Sequence, residues 1–293
     1  MEENSVKIEI DSSAGFCQGV VNAIKIAESE LKKNEKIYCL GDIVHNKTEV
    51  ERLESLGLIS ISYKEFEKLS NCKVIVRAHG EPPSTFEAAR ERGITIINAT
   101  CPIVFKLQKE IKDAAPILKS AEMIIVGKKG HPEVLGLLGQ IDGKARVISS
   151  VNDLQNINTF KKELIIFSQT TMDRDVYAKI IKEVCLKAEC RRISITNSIC
   201  KHVLKRKDSI IAFARTHQVV FFVSSYNSSN GVYLFNICKS ENPKTYLLNS
   251  VEEIDLSLLS NAKTIGISGA TSTPMWLMEK VSDKIKSASQ MIN

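Results

Sequence analysis

Three cysteines of this chain occupy the same local setting. Lys7-Ile8-Glu9-Ile10 runs through a small-residue loop into Gly15-Phe16-Cys17, and a helical pattern follows. Ile94-Thr95-Ile96-Ile97 runs into Asn98-Ala99-Thr100-Cys101-Pro102, ahead of a helix-like run from Ile103 to Asp113. Arg192-Ile193-Ser194-Ile195 runs into Asn197-Ser198-Ile199-Cys200, again with a helical pattern behind it. Each is a strand–loop–Cys–helix unit, with Pro102 suited to a first helical position where its missing N–H costs nothing. Backbone N–H groups at a helix start are unpaired and the dipole there favours negative charge, so a thiolate is stabilised. One such cysteine reads as an inert core thiol. Three of them predict a three-part chain whose parts meet at one point.

The rest of the chain repeats the scheme. In the first third, Lys36 to Leu40 is an expected strand whose loop carries His45-Asn46, and a helix from Thr48 to Leu56 stops at Gly57. Lys73 to Arg77 is the next strand, ending at Ala78-His79-Gly80, with Ser84 opening a helix. In the middle third, Glu122 to Val126 leads to Gly127-Lys128-Lys129-Gly130-His131-Pro132-Glu133, and Glu163 to Phe167 leads to Ser168-Gln169-Thr170-Thr171. Arg146 to Ile148 is a shorter strand between them, and Pro116 should end or kink the helix after Cys101. In the last third, Gln218 to Val223 leads to Ser224 through Asn230, Lys244 to Leu248 is short, and Lys263 to Ile267 leads to Ser268 through Pro274. The reading is three strands per third, each with a polar loop at its carboxyl end feeding a helix. Open α/β sheets bind ligands beyond the carboxyl ends of their strands. The expected fold class is therefore α/β, with three pseudo-threefold-related domains (1–100, 101–199 and 200–293) pointing their loops at a central cavity.

Composition sets the outer limits. Hydrophobic and charged fractions of 43% and 25% are those of an ordinary globular chain. The acidic start, Met1-Glu2-Glu3-Asn4, has no apolar signal region and no run reaches membrane-spanning length, so a cytoplasmic location is expected. Net charge of +6 is scattered along the chain, which suits an anionic small molecule and points away from nucleic acid.

Eight cysteines in a cytosolic chain suggest thiols or metal ligands rather than disulfides, and no C-x-x-C pair is present. Structural zinc takes four ligands, often in paired local spacings. Three long-range thiolates suit a four-iron cluster with one iron left without a protein ligand. The alternative is that all eight are core thiols; Cys39, Cys72, Cys185, Cys190 and Cys238 are read as structural. Three of the five histidines, His45, His79 and His131, stand in the loops. With Thr170, Thr171, Ser228, Ser229, Asn230 and Ser272 they make a donor set fit for a phosphate or diphosphate. A Ser-Ser-Asn loop also serves as a plain helix cap. Glu133 is read as the one acidic residue on the helix side of these histidine motifs. In a closed cavity its pKa would rise and fit it for general acid work; otherwise it is an acid favourably placed at a helix start.

Taken together, Gly15-Phe16-Cys17-Gln18-Gly19-Val20, His45-Asn46, Ala78-His79-Gly80, Ala99 to Pro102, Gly130 to Val134, Ser168 to Thr171, Asn227 to Asn230 and Gly269 to Pro274 resemble one family. It is the 4-hydroxy-3-methylbut-2-enyl diphosphate reductase family, which closes the methylerythritol phosphate route to isoprenoids. The resemblance implies a trefoil of three α/β domains around a [4Fe-4S] cluster held by Cys17, Cys101 and Cys200. It implies an allylic alcohol at the fourth iron and a diphosphate among His45, His79, His131, Ser228, Asn230 and Ser272. Glu133, working with Thr170, would be the proton source. The implied products are isopentenyl and dimethylallyl diphosphate, with an electron-donor protein such as ferredoxin or flavodoxin and a monomeric enzyme. Val21-Asn22, Leu135 and Lys205-Arg206 depart from what is common in the family. Two other readings of the same residues are a non-redox iron–sulfur hydro-lyase and a metal-free module for a phosphorylated ligand.

Overall fold

Short apolar runs bounded by glycine, polar loops and helix starts become strands in the computed structural model, which describes residues 6–34, 36–226, 228–259 and 262–292. The chain opens with β1 (Lys7–Ile10), α1 (Gln18–Leu31), β2 (Ile37–Leu40), α2 (Lys47–Ser55), β3 (Leu58–Ile61), α3 (Tyr63–Phe66), β4 (Lys73–Val76), α4 (Pro83–Glu91) and β5 (Thr95–Asn98). It continues through α5 (Pro102–Asp113), β6 (Glu122–Val126), α6 (Pro132–Gly139), β7 (Ala145–Ile148), β8 (Glu163–Ser168), α7 (Arg174–Lys187) and β9 (Arg192–Ile195). It ends with α8 (Lys201–Arg215), β10 (Val219–Val223), α9 (Ser229–Glu241), β11 (Thr245–Leu248), β12 (Thr264–Gly269) and α10 (Met275–Ile292). Helix α5 stops at Asp113, and Pro116 sits in the 3-10 turn that follows it, as the proline's missing N–H requires.

The strands form three parallel sheets of four. Their orders are β3-β2-β4-β5, β7-β6-β8-β9 and β11-β10-β12-β1, one arrangement used three times. Every sheet has a fourth strand, β5, β9 or β1, that leads into one of the three cysteines. This differs from the expected three strands per third in two ways. Leu58–Ile61 is a strand in its own right, in register with Ile37–Leu40. Lys7–Ile10 lies in the sheet of the last third, with Ile8 opposite Ile265, not with the first third. Pairing partners are set by tertiary packing, which a four-residue edge strand does not advertise. The expected boundaries at 100/101 and 199/200 fall just past β5 and β9.

Two compact units result. Residues through Val21, Val44–Ser55 and Leu204 onward form one; Asn22–Ile43 and Leu56–Val203 form the other. In the first, β10 is apolar throughout because both of its faces are covered. Val219, Phe221 and Val223 pack with Met278, Val281 and Ile285 of α10, while Val220 and Phe222 pack with Ile210, Ala214 and Leu234. Each of these buried Val, Leu, Ile, Phe and Met side chains contributes about 1.5–3 kcal/mol. In the second unit, Met123 and Ile125 of β6 meet Leu107 and Ile111 of α5 and Val134 and Leu137 of α6. Leu40, Val74, Ala89 and Ile94 form a core of their own there. These rigid layers leave the carboxyl-end loops to carry the chemistry.

Candidate active site

Within the second unit, Cys101 is the residue immediately before α5, with Pro102 in its first turn. Its N–H donates to the carbonyl of Ala78, 3.0 Å away, which ties the cysteine to the residue before His79. Asn98 shapes the approach by accepting from the N–H and the hydroxyl of Thr100. Cys200 has the same design before α8. Its N–H donates to the Thr170 carbonyl at 2.8 Å, and the Ser198 hydroxyl donates to the Ser168 carbonyl at 2.7 Å. In the first unit Cys17 precedes α1, and its carbonyl accepts from Val21 to start the helix. The turn before it needs Gly15, whose φ of +93° is strained for any L side chain.

None of the three is in a disulfide, and all are half-buried. Among the remaining five, Cys39 and Cys238 are buried, and burial pushes the Cys39 thiol up to about 12. Burial also raises Cys72, Cys190 and Cys238. Cys185 is exposed on α7. The donor set fits a thiolate-held cluster: the three cysteines each stand at a helix start and are partly open to a ligand.

The loop after β6 places the acid. His131 is the N-cap of α6, and its Nδ1 accepts from the Glu133 N–H at 3.2 Å. A neutral His131 therefore carries its proton on Nε2, leaving that nitrogen as a donor. The His79 ring meets the His131 ring edge-on, with centroids 5.3 Å apart. Glu133 is only 1% exposed. Its Oε1 accepts from the Thr170 N–H at 2.6 Å and its Oε2 from the Thr170 hydroxyl at 2.9 Å. Burial pushes this carboxyl up to about 7, outweighing the two Thr170 hydrogen bonds that lower it. Thr171 is exposed, and its hydroxyl oxygen accepts from Gln169 Nε2 at 2.7 Å. Gln169 in turn accepts from the Lys128 N–H, so one buried amide joins the β6 and β8 loops. Sequence reading quoted Gln169 without assigning it this job.

Glu81 corrects the view that Glu133 alone stands beside a histidine motif. It lies two residues after His79, is 2% exposed, and accepts a short hydrogen bond from the Tyr63 hydroxyl. Burial raises its pKa also. The spacing was visible in the chain; what was not visible is that Glu81 is engaged by a tyrosine of α3 rather than by a polar loop like that of Thr170.

The remaining predicted donors belong to the first unit. His45 is exposed and precedes Asn46, whose side chain caps α2 by accepting from the Glu49 N–H at 2.9 Å. Ser228 caps α9, accepting from the Gly231 N–H at 3.1 Å. Gly231 leaves room there for Ser224, whose Oγ would stand 1.9 Å from an added Cβ and would have to move. Asn230 Nδ2 donates to Thr271 Oγ1 at 2.9 Å, which joins this loop to the one bearing Ser272. Thr273, donating to the Val223 carbonyl at 2.7 Å, pins that second loop to β10. Asn227 and the side chain of Ser229 lie outside the described residues.

Sequence reading gave no role to a buried ion pair in this unit. Arg206 of α8 donates to Asp11 Oδ2 at 2.7 Å, and also to Ser13 Oγ, Ser268 Oγ and the Gly269 carbonyl. One guanidinium thus holds the start of the Cys17 loop against the start of the Ser272 loop. An arginine inside a helix gives no local sign of such a task.

Residues 8–286 match the family model described as LytB protein. A 4-hydroxy-3-methylbut-2-enyl diphosphate reductase of Bacteroides fragilis is 48% identical, over 96% of this chain and 98% of its own length. The enzyme of the same name from Bacteroides thetaiotaomicron is 47% identical with the same coverage. Among solved structures, an (E)-4-hydroxy-3-methyl-but-2-enyl diphosphate reductase, described as the terminal enzyme of the non-mevalonate pathway, is 34% identical. It superposes with a TM-score of 0.76, covering 97% of this chain and all of that one. A reductase from Plasmodium falciparum, 28% identical, gives a TM-score of 0.82 over 96% of this chain and 88% of that one. Matched over nearly its whole length by sequence and by fold, the chain belongs to the LytB protein family, and is an oxidoreductase.

Proposed function

We propose that this oxidoreductase removes the hydroxyl of 4-hydroxy-3-methylbut-2-enyl diphosphate reductively, yielding isopentenyl and dimethylallyl diphosphate. The relatives' names support the substrate, and the buried Glu133–Thr170 pair is the observation that carries the chemistry. Cys17, Cys101 and Cys200 are the residues that would hold a [4Fe-4S] cluster, which supplies a Lewis acid and electrons. We further propose a cytoplasmic monomer of three α/β domains, divided near 100 and 200, that is reduced by a ferredoxin or flavodoxin.

The balance is simple. Two electrons and two protons convert the C–OH into C–H and water. Hydroxide is a poor leaving group, so one proton must reach its oxygen as the C–O bond breaks. A carboxyl raised to about 7 holds that proton near neutrality and still gives it up. The Thr170 hydroxyl, which donates to the ionised carboxylate, can turn and accept from the protonated acid, passing a proton outward. The second proton ends on one or the other end of the allyl unit, and its position decides the product. His131, with Nε2 as donor, joins His45, His79, Ser228, Asn230 and Ser272 in binding the diphosphate, with Thr171 and Ser229 as further hydroxyl donors.

Glu133→Gln tests the acid. It keeps the shape and can hydrogen-bond, but has no carboxylic proton. Substrate binding, followed by anaerobic visible spectra, should be close to the wild type, while single turnover with a chemical reductant falls about a hundredfold or more. A full single-turnover rate in the variant would return Glu133 to the status of a helix-start acid.

A further inference from the structure

The chain has a single tryptophan, Trp276, and its indole N–H is engaged. Trp276 Nε1 donates to Glu49 Oε2 at 2.9 Å. Glu49 is 1% exposed, yet its carboxylate is fully served, because Arg52 one turn along α2 donates to Oε2 at 3.0 Å and to Oε1 at 2.6 Å. The other partner of the indole is Lys280, whose Nζ stands 4.9 Å from the ring centroid.

The place of this bond in the chain gives it meaning. Helix α2 has nine residues, too short to hold itself in water, so its position depends on tertiary contacts. Its apolar anchors, Val50 and Leu53, are non-directional and tolerate sliding. The Glu49–Trp276 hydrogen bond is directional. On one side, Glu49 receives the cap of Asn46, the residue after His45. On the other, Trp276 lies in the first turn of α10, four residues after Ser272, and its neighbours Leu277 and Met278 are locked in the core of the unit.

We propose that the Glu49–Trp276 bond is a positioning latch that holds the His45 segment in register with the Ser272 segment and so sets affinity for the substrate's diphosphate. This rests on the reading that His45 and Ser272 bind that group. Neither latch residue touches substrate. Loss of the latch should therefore raise KM much more than it lowers kcat, and should leave the cluster's visible absorption unaltered.

The test is calorimetric titration of the anaerobic holoenzyme with inorganic pyrophosphate. Wild type should bind. Trp276→Phe, which keeps an aromatic ring and removes only the donor, should weaken binding about tenfold. Glu49→Ala should do the same, and Glu49→Gln, which keeps an acceptor for the indole, should recover part of the loss. The Glu49→Ala/Trp276→Phe double variant should be no worse than either single one, the mark of one shared interaction. Two results overturn the proposal in distinguishable ways. If wild type binds and His45→Ala does not, yet Trp276→Phe and Glu49→Ala bind normally, the latch is wrong and the diphosphate reading stands. If pyrophosphate binds wild type and His45→Ala alike, the diphosphate reading fails and the latch falls with it.

Discussion

Glu133 has both carboxylate oxygens engaged by Thr170 and almost no contact with water. Its raised pKa has a sign that two experiments can read. The folded state prefers the protonated form, so the stability this preference gives is complete below the unfolded value. It is lost as pH rises through about 7. The proton needed for C–O cleavage is lost over the same upper range. The single-turnover rate should be flat below pH 7 and fall above it by about tenfold per unit, and this limb should vanish from the Glu133→Gln profile. A wild-type rate that rises through pH 7 would mean that Glu133 acts as a base.

The cysteines make a second residue-scale prediction. Cys17→Ser, Cys101→Ser and Cys200→Ser should each lose iron to a chelator under anaerobic conditions, while Cys72→Ser and Cys238→Ser retain it. Retention in Cys101→Ser with loss in Cys72→Ser would refute the ligand set. The setting of Cys17, Cys101 and Cys200 was legible in sequence because a strand, a turn and a helix start are local features. Gln169 was not, because its two hydrogen bonds reach Lys128 and Thr171 on different loops.

At the scale of elements, Arg206 matters most among the features that escaped sequence reading. Helix α8 carries it beneath the ends of β1 and β12, where it meets Asp11, Ser13, Ser268 and Gly269. Burial works against the Asp11 charge, but Arg206 and Ser13 outweigh it and hold the carboxyl below the usual carboxylate range. The stability this gives is present above the unfolded pKa and lost as pH falls through the lowered one. Arg206→Met leaves Asp11 buried without its cation and should cost about 3–5 kcal/mol in chemical denaturation. Replacing both, as Asp11→Leu/Arg206→Met, should recover much of that loss, since a buried pair gives little net stability over apolar packing. If the double variant is as unstable as the single one, the pair's remaining contacts to Ser13, Ser268 and Gly269 are what the unit depends on. The helix itself was plain in the sequence from its spacing after Cys200. Its buried arginine face was not, since helical periodicity reports apolar residues and a charged one counts as solvent-facing.

Across the whole molecule, the same four-strand order recurs in three sheets, but the last sheet takes its fourth strand from the beginning of the chain. The repeated Cys units made three α/β parts legible. The membership of β1 was hidden because its pattern, alternately exposed and half-buried, is that of any edge strand. The bond from Ser268 to Asp11 spans 257 residues. Closing so long a loop costs little more than closing a shorter one, since each doubling of length adds only about 0.6 kcal/mol. The pairing of β1 with β12 is therefore within reach of ordinary packing energies. Its removal has a consequence that distinguishes the observed sheet from the one expected from sequence order. Deleting residues 1–10 uncovers the β12 edge, where Ile8 faced Ile265 and Ile10 faced Ile267. Backbone amides of β12 and β10 should then exchange hydrogen faster, and the Cys17 loop, anchored by the Asp11 N–H on the Ile267 carbonyl, should lose order with them. Amides of β2 and β4 should keep wild-type protection, because their neighbours β3 and β5 are intact. Faster exchange in β2 and β4 with β12 unchanged would place the N-terminal strand back in the first third.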